Sequence, residues 1–145
     1  MEGDKSMPII GFNFDKLYVE KMKPIEPPLN INTNVAIKDV TEEKTALSGK
    51  DDKVLRFNFE FGLEYDPKLA DLKIAGHIHY LEKKKEADKL VADWKKSKKL
   101  EGDTGKAIIN TILLKCNIKA LQISQDVNLP PHLRLPIVQA KPRKK

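Results

Sequence analysis

The sequence predicts an α+β protein, in which four antiparallel strands form one sheet and two C-terminal helices pack on one face of it. From Val54 to Leu81, on both sides of a turn at Asp66-Pro67, apolar and polar residues alternate. This period of two is typical of strands with one buried face and one solvated face. After Lys83 the apolar residues recur at a period of about 3.6, which indicates helices. Strands that precede helices, instead of alternating with them, indicate an α+β arrangement.

Two earlier strands complete the predicted sheet. The first is expected from about Ile9 to Val19, with a bulge at Asp15-Lys16, because the apolar positions change parity there. Residues 23–28 are rich in proline and are expected to form an extended connection. The second strand is expected to begin near Leu29 and to expose a face of asparagines. Its apolar face includes Ile31, Val35 and Ile37.

Two helices are expected after the strands. The apolar stripe of the first consists of Ala87, Leu90, Val91 and Trp94. We expect Trp94 to pack against the chain's own sheet, and the alternative is that it pairs with a copy of the helix in an oligomer. The second helix is expected over about residues 105–125, with Asp103 or Thr104 as its N-cap. It cannot continue past Pro130, because proline breaks the helical hydrogen-bond pattern.

The composition is that of a highly charged globular protein. The 145 residues include 27 Lys and Arg against 21 Asp and Glu, which gives a net charge of +6. This length predicts one domain, which we place over residues 9–139, between a leader (1–8) and a basic tail (140–145). No apolar run reaches the roughly 18 residues of a membrane helix, and the N-terminus lacks the layout of a signal peptide. A single cysteine fits a reducing compartment, so we predict a cytoplasmic protein without membrane insertion.

Few residues could carry catalysis. His77 and His79 project to the same polar strand face, but zinc usually takes three or four ligands, and the sequence does not place His132 near them. Cys116 occurs at helical spacing among apolar residues, which indicates a buried, unreactive thiol. The sequence contains no phosphate-loop, dinucleotide-binding, serine-hydrolase or zinc-protease motif. We therefore predict that the protein is not an enzyme and uses no metal and no cofactor. The alternative is a small metal-dependent enzyme built around His77 and His79.

The basic charge leaves nucleic-acid binding as an alternative function. Much of the excess lies in the lysine-rich region 83–99 and in residues 141–145. In the first region Glu86, Asp88 and Asp93 interrupt the lysines, as on a solvated helix face. The aromatic residues that could stack on bases fall at core positions of the predicted strands. These features make nucleic-acid binding the less favoured function.

The C-terminal segment 128–138 has a pattern of its own. Apolar residues keep a period of two, while three prolines remove backbone donors, so the segment cannot be a central strand. It can lie extended on a surface, either as a strap that covers the core or as a strip that presents apolar side chains to a partner. The apolar residues of this segment include Leu129, Leu133, Leu135 and Ile137.

The order of elements and this segment together resemble the SecB export-chaperone family, over about residues 9–139. Members of that family close with the pattern Pro-x-Leu-x-Leu-x-Pro, and this chain has Pro131, Leu133, Leu135 and Pro136. The last proline comes one residue early, and residues 137–139 read Ile-Val-Gln where the family has Val-Asn-Phe. The segment that follows the first strand, with Tyr18 and later Pro-Ile-Glu-Pro at residues 24–27, is also similar.

The resemblance implies a molecular chaperone that holds unfolded polypeptide, forms a homotetramer and serves protein export. It implies long apolar surface grooves and no catalysis. For this chain the candidate groove residues are Leu129, Leu133, Leu135, Ile137, Ile31, Val35 and Ile37. The resemblance does not separate a general chaperone from a relative dedicated to one client, such as an antitoxin. Typical members are acidic and dock on the export motor by that charge, so for this basic chain such docking is not expected.

Overall fold

The computed structural model of the chain describes residues 9–45, 49–100 and 102–133. The sheet consists of β1 (Ile9–Lys21), β2 (Asn30–Glu43), β3 (Asp52–Asp66) and β4 (Ala70–Lys83). The helices are α1 (Lys84–Ser97) and α2 (Gly102–Asp126). Every strand pairs antiparallel with its neighbours, in the order β1-β4-β3-β2. The predicted α+β fold, with four antiparallel strands followed by two helices, is therefore confirmed.

The hairpin of β3 and β4 forms the centre of the sheet and carries most of the core. Its turn contains the cis peptide Asp66-Pro67 and Lys68 at a φ of 51°. The alternation seen in the sequence is the alternation of the two faces, because every second side chain is buried from Leu55 to Tyr65 and from Ala70 to Tyr80. The buried side chains of β3 are Val54, Leu55, Phe57, Phe59, Phe61, Leu63 and Tyr65.

Bulges adjust the two edge strands to this centre. The register of β1 against β4 shifts between Phe14 and Lys16, as the change of parity predicts. A second bulge, between Ile37 and Asp39 of β2, was not predicted. This bulge places Val40 opposite Phe57, and as a result Val40 is buried in the core.

A glycine in β4 lets strands β1 and β4 approach each other closely. Gly76 lies opposite Phe59 and Phe14, and a Cβ at this position would come within 2.1 Å of the Asn13 carbonyl oxygen. The space above Gly76 is filled by aromatic rings, since the rings of Phe12 and Phe59 meet at 5.1 Å. Gly76 therefore allows β1 and β4 to pair closely under this aromatic cluster.

The helices lie on the buried face of the sheet. Trp94 of α1 is buried in the chain's own core, as expected. Helix α1 ends at Ser97, and Lys98 adopts a left-handed conformation as its C-cap. Helix α2 already begins at Gly102, so the predicted N-cap at Asp103 or Thr104 is wrong. No helix in the described ranges is both long enough and apolar enough to cross a membrane.

Candidate polypeptide-binding surface

The end of helix α2 turns the chain back onto the sheet. Asn128 has a φ of 59°, the left-handed conformation that often ends helices. The Asn128 N–H donates to the Gln125 carbonyl at 3.2 Å, and the Leu129 N–H donates to the Ser124 carbonyl at 2.9 Å. This bonding pattern is a Schellman motif, in which the residue after the left-handed one makes an apolar contact. Leu129 occupies this position and is buried in the core.

Residues 129–133, here called the C-terminal strap, then follow β3 on the helix-covered face. The Tyr65 hydroxyl donates a hydrogen bond of 2.7 Å to the Pro130 carbonyl. The ring of His132 packs edge-on against that of Phe61, with 6.2 Å between the centroids. From Pro130 to His132 the strap thus passes from Tyr65 towards Phe61. It runs antiparallel to β3 and parallel to β2.

His132 also attaches the strap to helix α2. Its Nε2–H donates to Asn117 Oδ1 at 2.7 Å, while its buried Nδ1 has no partner within the described residues. Burial lowers the pKa of His132 below its ordinary value, because the charged imidazolium is poorly solvated there. The neutral ring of His132 therefore links the strap to helix α2 on one side and to Phe61 of the sheet on the other.

The apolar residues of β2 lie on the same face of the sheet as the strap. Ile31 is paired with Tyr65, Val35 with Phe61 and Ile37 with Phe59, so all three share the face on which the strap lies. We call Ile31, Val35 and Ile37 the β2 row. Each is only partly buried, whereas their β3 partners are fully buried. Strand β2 is an edge strand, and within the described ranges no strand pairs with its outer side.

The structure thus brings together most of the predicted groove residues. The β2 row and Leu129 lie on one face, and Leu133 is 42% exposed at the end of the strap. Leu135 and Ile137 lie outside the described residues. Leu129 is buried in the core, whereas Leu133 is exposed to solvent. Tyr65, Phe61 and Asn117 also shape the surface, although the sequence pattern did not single them out.

The opposite face of the sheet is polar and holds His77 and His79. His77 Nδ1–H donates to Asp15 Oδ2 at 2.7 Å, and His79 Nε2–H donates to Glu43 Oε1 at 3.0 Å. The hydrogen bond from His79 lowers the pKa of Glu43. In the part of the chain that the structure describes, no three His, Cys, Asp or Glu side chains are grouped as ligands of one metal ion.

Cys116 belongs to helix α2 and points into the core, with none of its surface exposed. Burial raises the pKa of its thiol to about 12, so the thiol is protonated at neutral pH. A protonated, inaccessible thiol is not a nucleophile. The aromatic rings proposed as core residues are buried as well, among them Phe57, Phe59 and Phe61, and rings in that position cannot stack on the bases of a nucleic acid.

Comparison with solved structures finds a similar architecture in a SecB-like chaperone. One similar structure is the SecB-like chaperone of Mycobacterium tuberculosis, solved in complex with a ChAD peptide from the HigA1 antitoxin. The two structures align with a TM-score of 0.50 over 92% of this chain and 91% of that one, at 14% sequence identity. The likeness is one of fold. No protein-family model and no curated protein sequence matches the chain.

Proposed function

We propose that the protein is a chaperone that holds unfolded or partner polypeptide on the surface formed by the β2 row and the C-terminal strap. The observation that carries this proposal is the position of the strap, which runs parallel to β2 on the same face as the β2 row. Two apolar lines that follow the same direction fit one extended chain. The SecB-like neighbour contains a bound peptide, which supports a polypeptide as the class of partner.

The edge of β2 supplies the second part of the binding mode. An extended client can pair its backbone with the outer side of β2, because an edge strand presents free N–H and C=O groups. Alternate client side chains then lie over Ile31, Val35 and Ile37, and the others point towards the asparagines of the polar face. This binding mode selects extended client segments with apolar residues at every second position. It depends little on the other residues of the client.

Three finer features belong to the same proposal. The binding surface continues through Leu135 and Ile137, the protein assembles as a homotetramer, and its client is either an exported preprotein or one dedicated partner. The net charge of +6 favours a client or partner with acidic flanking residues, because opposite charges speed up association. An acidic docking surface of the kind used towards the export motor is not part of this proposal.

A matched pair of substitutions on β2 tests the proposed surface. Val35 belongs to the β2 row, whereas its neighbour Ala36 points to the opposite face of the sheet. We expect Val35→Asp to weaken binding of a reduced, denatured client about tenfold or more, because a carboxylate is costly at an apolar contact. Ala36→Asp adds the same charge on the other face and should leave client binding unchanged. Binding is measured by fluorescence anisotropy of a labelled client and by suppression of its aggregation.

Circular dichroism and thermal unfolding show whether each variant is folded, and Ile31→Ser provides a milder change in the same row. If folded Val35→Asp and Ile31→Ser bind the client as well as the wild type does, the β2 row is not the binding surface. A wild-type protein that binds no unfolded client would contradict the chaperone function itself.

A further inference from the structure

The polar face of the sheet carries a cluster of side chains that polypeptide binding does not use. His77 and His79 occupy successive outward positions of β4, and their ring centroids are 5.0 Å apart. The two side chains are 12% and 22% exposed. They lie on the side of the sheet away from the strap and the β2 row. Two imidazoles at this spacing are available to a ligand that approaches from solvent.

A carboxylate fixes the orientation of each ring. Asp15 of β1 accepts from His77 Nδ1–H at 2.7 Å, and Glu43 of β2 accepts from His79 Nε2–H at 3.0 Å. Arg56 Nη1 lies 3.8 Å from the same Glu43 oxygen and forms an ion pair with it. With one nitrogen of each ring donating in this way, the nitrogens left to bind a metal ion are His77 Nε2 and His79 Nδ1.

Both of these nitrogens face β1. The nearest polar group to His77 Nε2 is the Asn13 side-chain amide, at a long 3.4 Å. His79 Nδ1 faces Gly11, and a Cβ added at Gly11 would come within 3.5 Å of that nitrogen. The two acceptor nitrogens therefore lie on the β1 side of their rings, which belong to neighbouring positions of β4 opposite Gly11 and Asn13.

We propose that His77 Nε2 and His79 Nδ1 together bind one divalent transition-metal ion, of the class of Cu²⁺, Ni²⁺ or Zn²⁺, with water at the remaining positions. Imidazole nitrogens suit these ions. Metal-ligating histidines usually donate their other N–H to a carboxylate, which is the arrangement that Asp15 and Glu43 provide. The carboxylates orient the rings and are not ligands, in keeping with the lack of a three-ligand group in the described ranges. Two protein ligands make this a weaker site than a structural zinc site.

Titration of the full chain with CuCl₂ or ZnCl₂ alone, in a buffer that does not chelate metals, tests this site by calorimetry. We expect one ion per chain, and an affinity that falls at acidic pH because protons compete for the ring nitrogens. His77→Ala and His79→Ala should each abolish most of the binding. Asp15→Ala should weaken it about tenfold or more, the usual effect of removing an outer-shell partner. His132→Gln removes the third histidine of the chain and should leave the binding unchanged.

A second measurement does not depend on the histidine variants being well folded. Gly11→Val fills the space beside His79 Nδ1 without changing either histidine, and we expect it to reduce metal affinity while circular dichroism stays that of the wild type. The metal should also raise the unfolding temperature of the wild type but not that of Gly11→Val, since only bound ligand stabilises the fold. The proposal would be overturned if the wild type binds no metal ion. It would also be overturned if a double variant, with both His77→Ala and His79→Ala, binds the ion as tightly as the wild type does.

Discussion

The thiol of Cys116 lies between helix α2 and the sheet and touches no solvent. Burial raises its pKa from the ordinary 9.0 to about 12, because the thiolate loses its hydration in the core. The folded state therefore keeps this proton to a higher pH than the unfolded state does. The stabilisation that follows is fully present below pH 9 and is lost as the pH rises from 9 towards 12.

We expect this difference to appear as an alkaline loss of stability that depends on Cys116. The free energy of unfolding, measured with urea on both sides of pH 9, should fall less in Cys116→Ala than in the wild type. The buried Tyr65 and Tyr80 also have raised pKa values, and both remain in the variant, so the difference isolates the thiol. Equal alkaline slopes in the two proteins, or rapid alkylation of the native thiol, would show that Cys116 is accessible.

At the scale of elements, the end of helix α2 determines where the C-terminal strap lies. Asn128 adopts a positive φ of 59°, and the two hydrogen bonds of the Schellman motif depend on this conformation. Asparagine tolerates the left-handed region, glycine does so at no steric cost, and a β-branched residue does so poorly. The strap begins directly after this residue, so the conformation of Asn128 also directs the strap towards Tyr65.

We predict that Asn128→Val lowers the free energy of unfolding by about 1–2 kcal/mol, the cost of a left-handed conformation for a residue with a Cβ. Asn128→Gly is the matched control and should be as stable as the wild type or slightly more stable. Urea denaturation of the three proteins measures both effects. If Val and Gly at this position give equal stability, the helix does not depend on the left-handed residue for its end.

The elements also show which features the sequence could predict. The bulge at Asp15-Lys16 was predictable because apolar residues flank it and change parity across it. The bulge between Ile37 and Asp39 was harder to predict, because Val40 is the only apolar residue of β2 after it and one residue does not establish a new parity. The direction of the strap depends on contacts between distant parts of the chain, such as Tyr65 with Pro130, and sequence spacing carries no information about them.

The same limit applies to the histidines. The sequence places His77 and His79 on one face, but their partners Asp15 and Glu43 are 62 and 36 residues away in the chain. Only the strand order β1-β4-β3-β2 brings one carboxylate from each edge of the sheet to the central pair. The β2 row was predictable from its period of two. That it shares a face with the strap could be seen only from the folded structure.

For the whole molecule, the distribution of exposed apolar residues points to self-association. Ile10, Leu17 and Met22 are each more than 40% exposed along β1 or directly after it. Strand β1 is an edge of the sheet, and on helix α2 Leu114 and Ile118 are 62% and 52% exposed, one turn apart. Large apolar side chains grouped on an open edge and on one helix face are typical of surfaces that meet another protein.

We predict that the native protein is a homotetramer, with a mass by light scattering of about four times the 16.5 kDa of one chain. Replacing both Leu114 and Ile118 by lysine should lower this mass, because charged side chains are costly in a buried interface. Since both residues are solvent-exposed in the single chain, the double variant should keep its helical circular dichroism. Lys115→Ala, a change between them on the same helix, is the control and should keep the wild-type mass. A wild-type mass of one chain at every concentration would mean that the exposed apolar residues serve clients or other partners and not assembly.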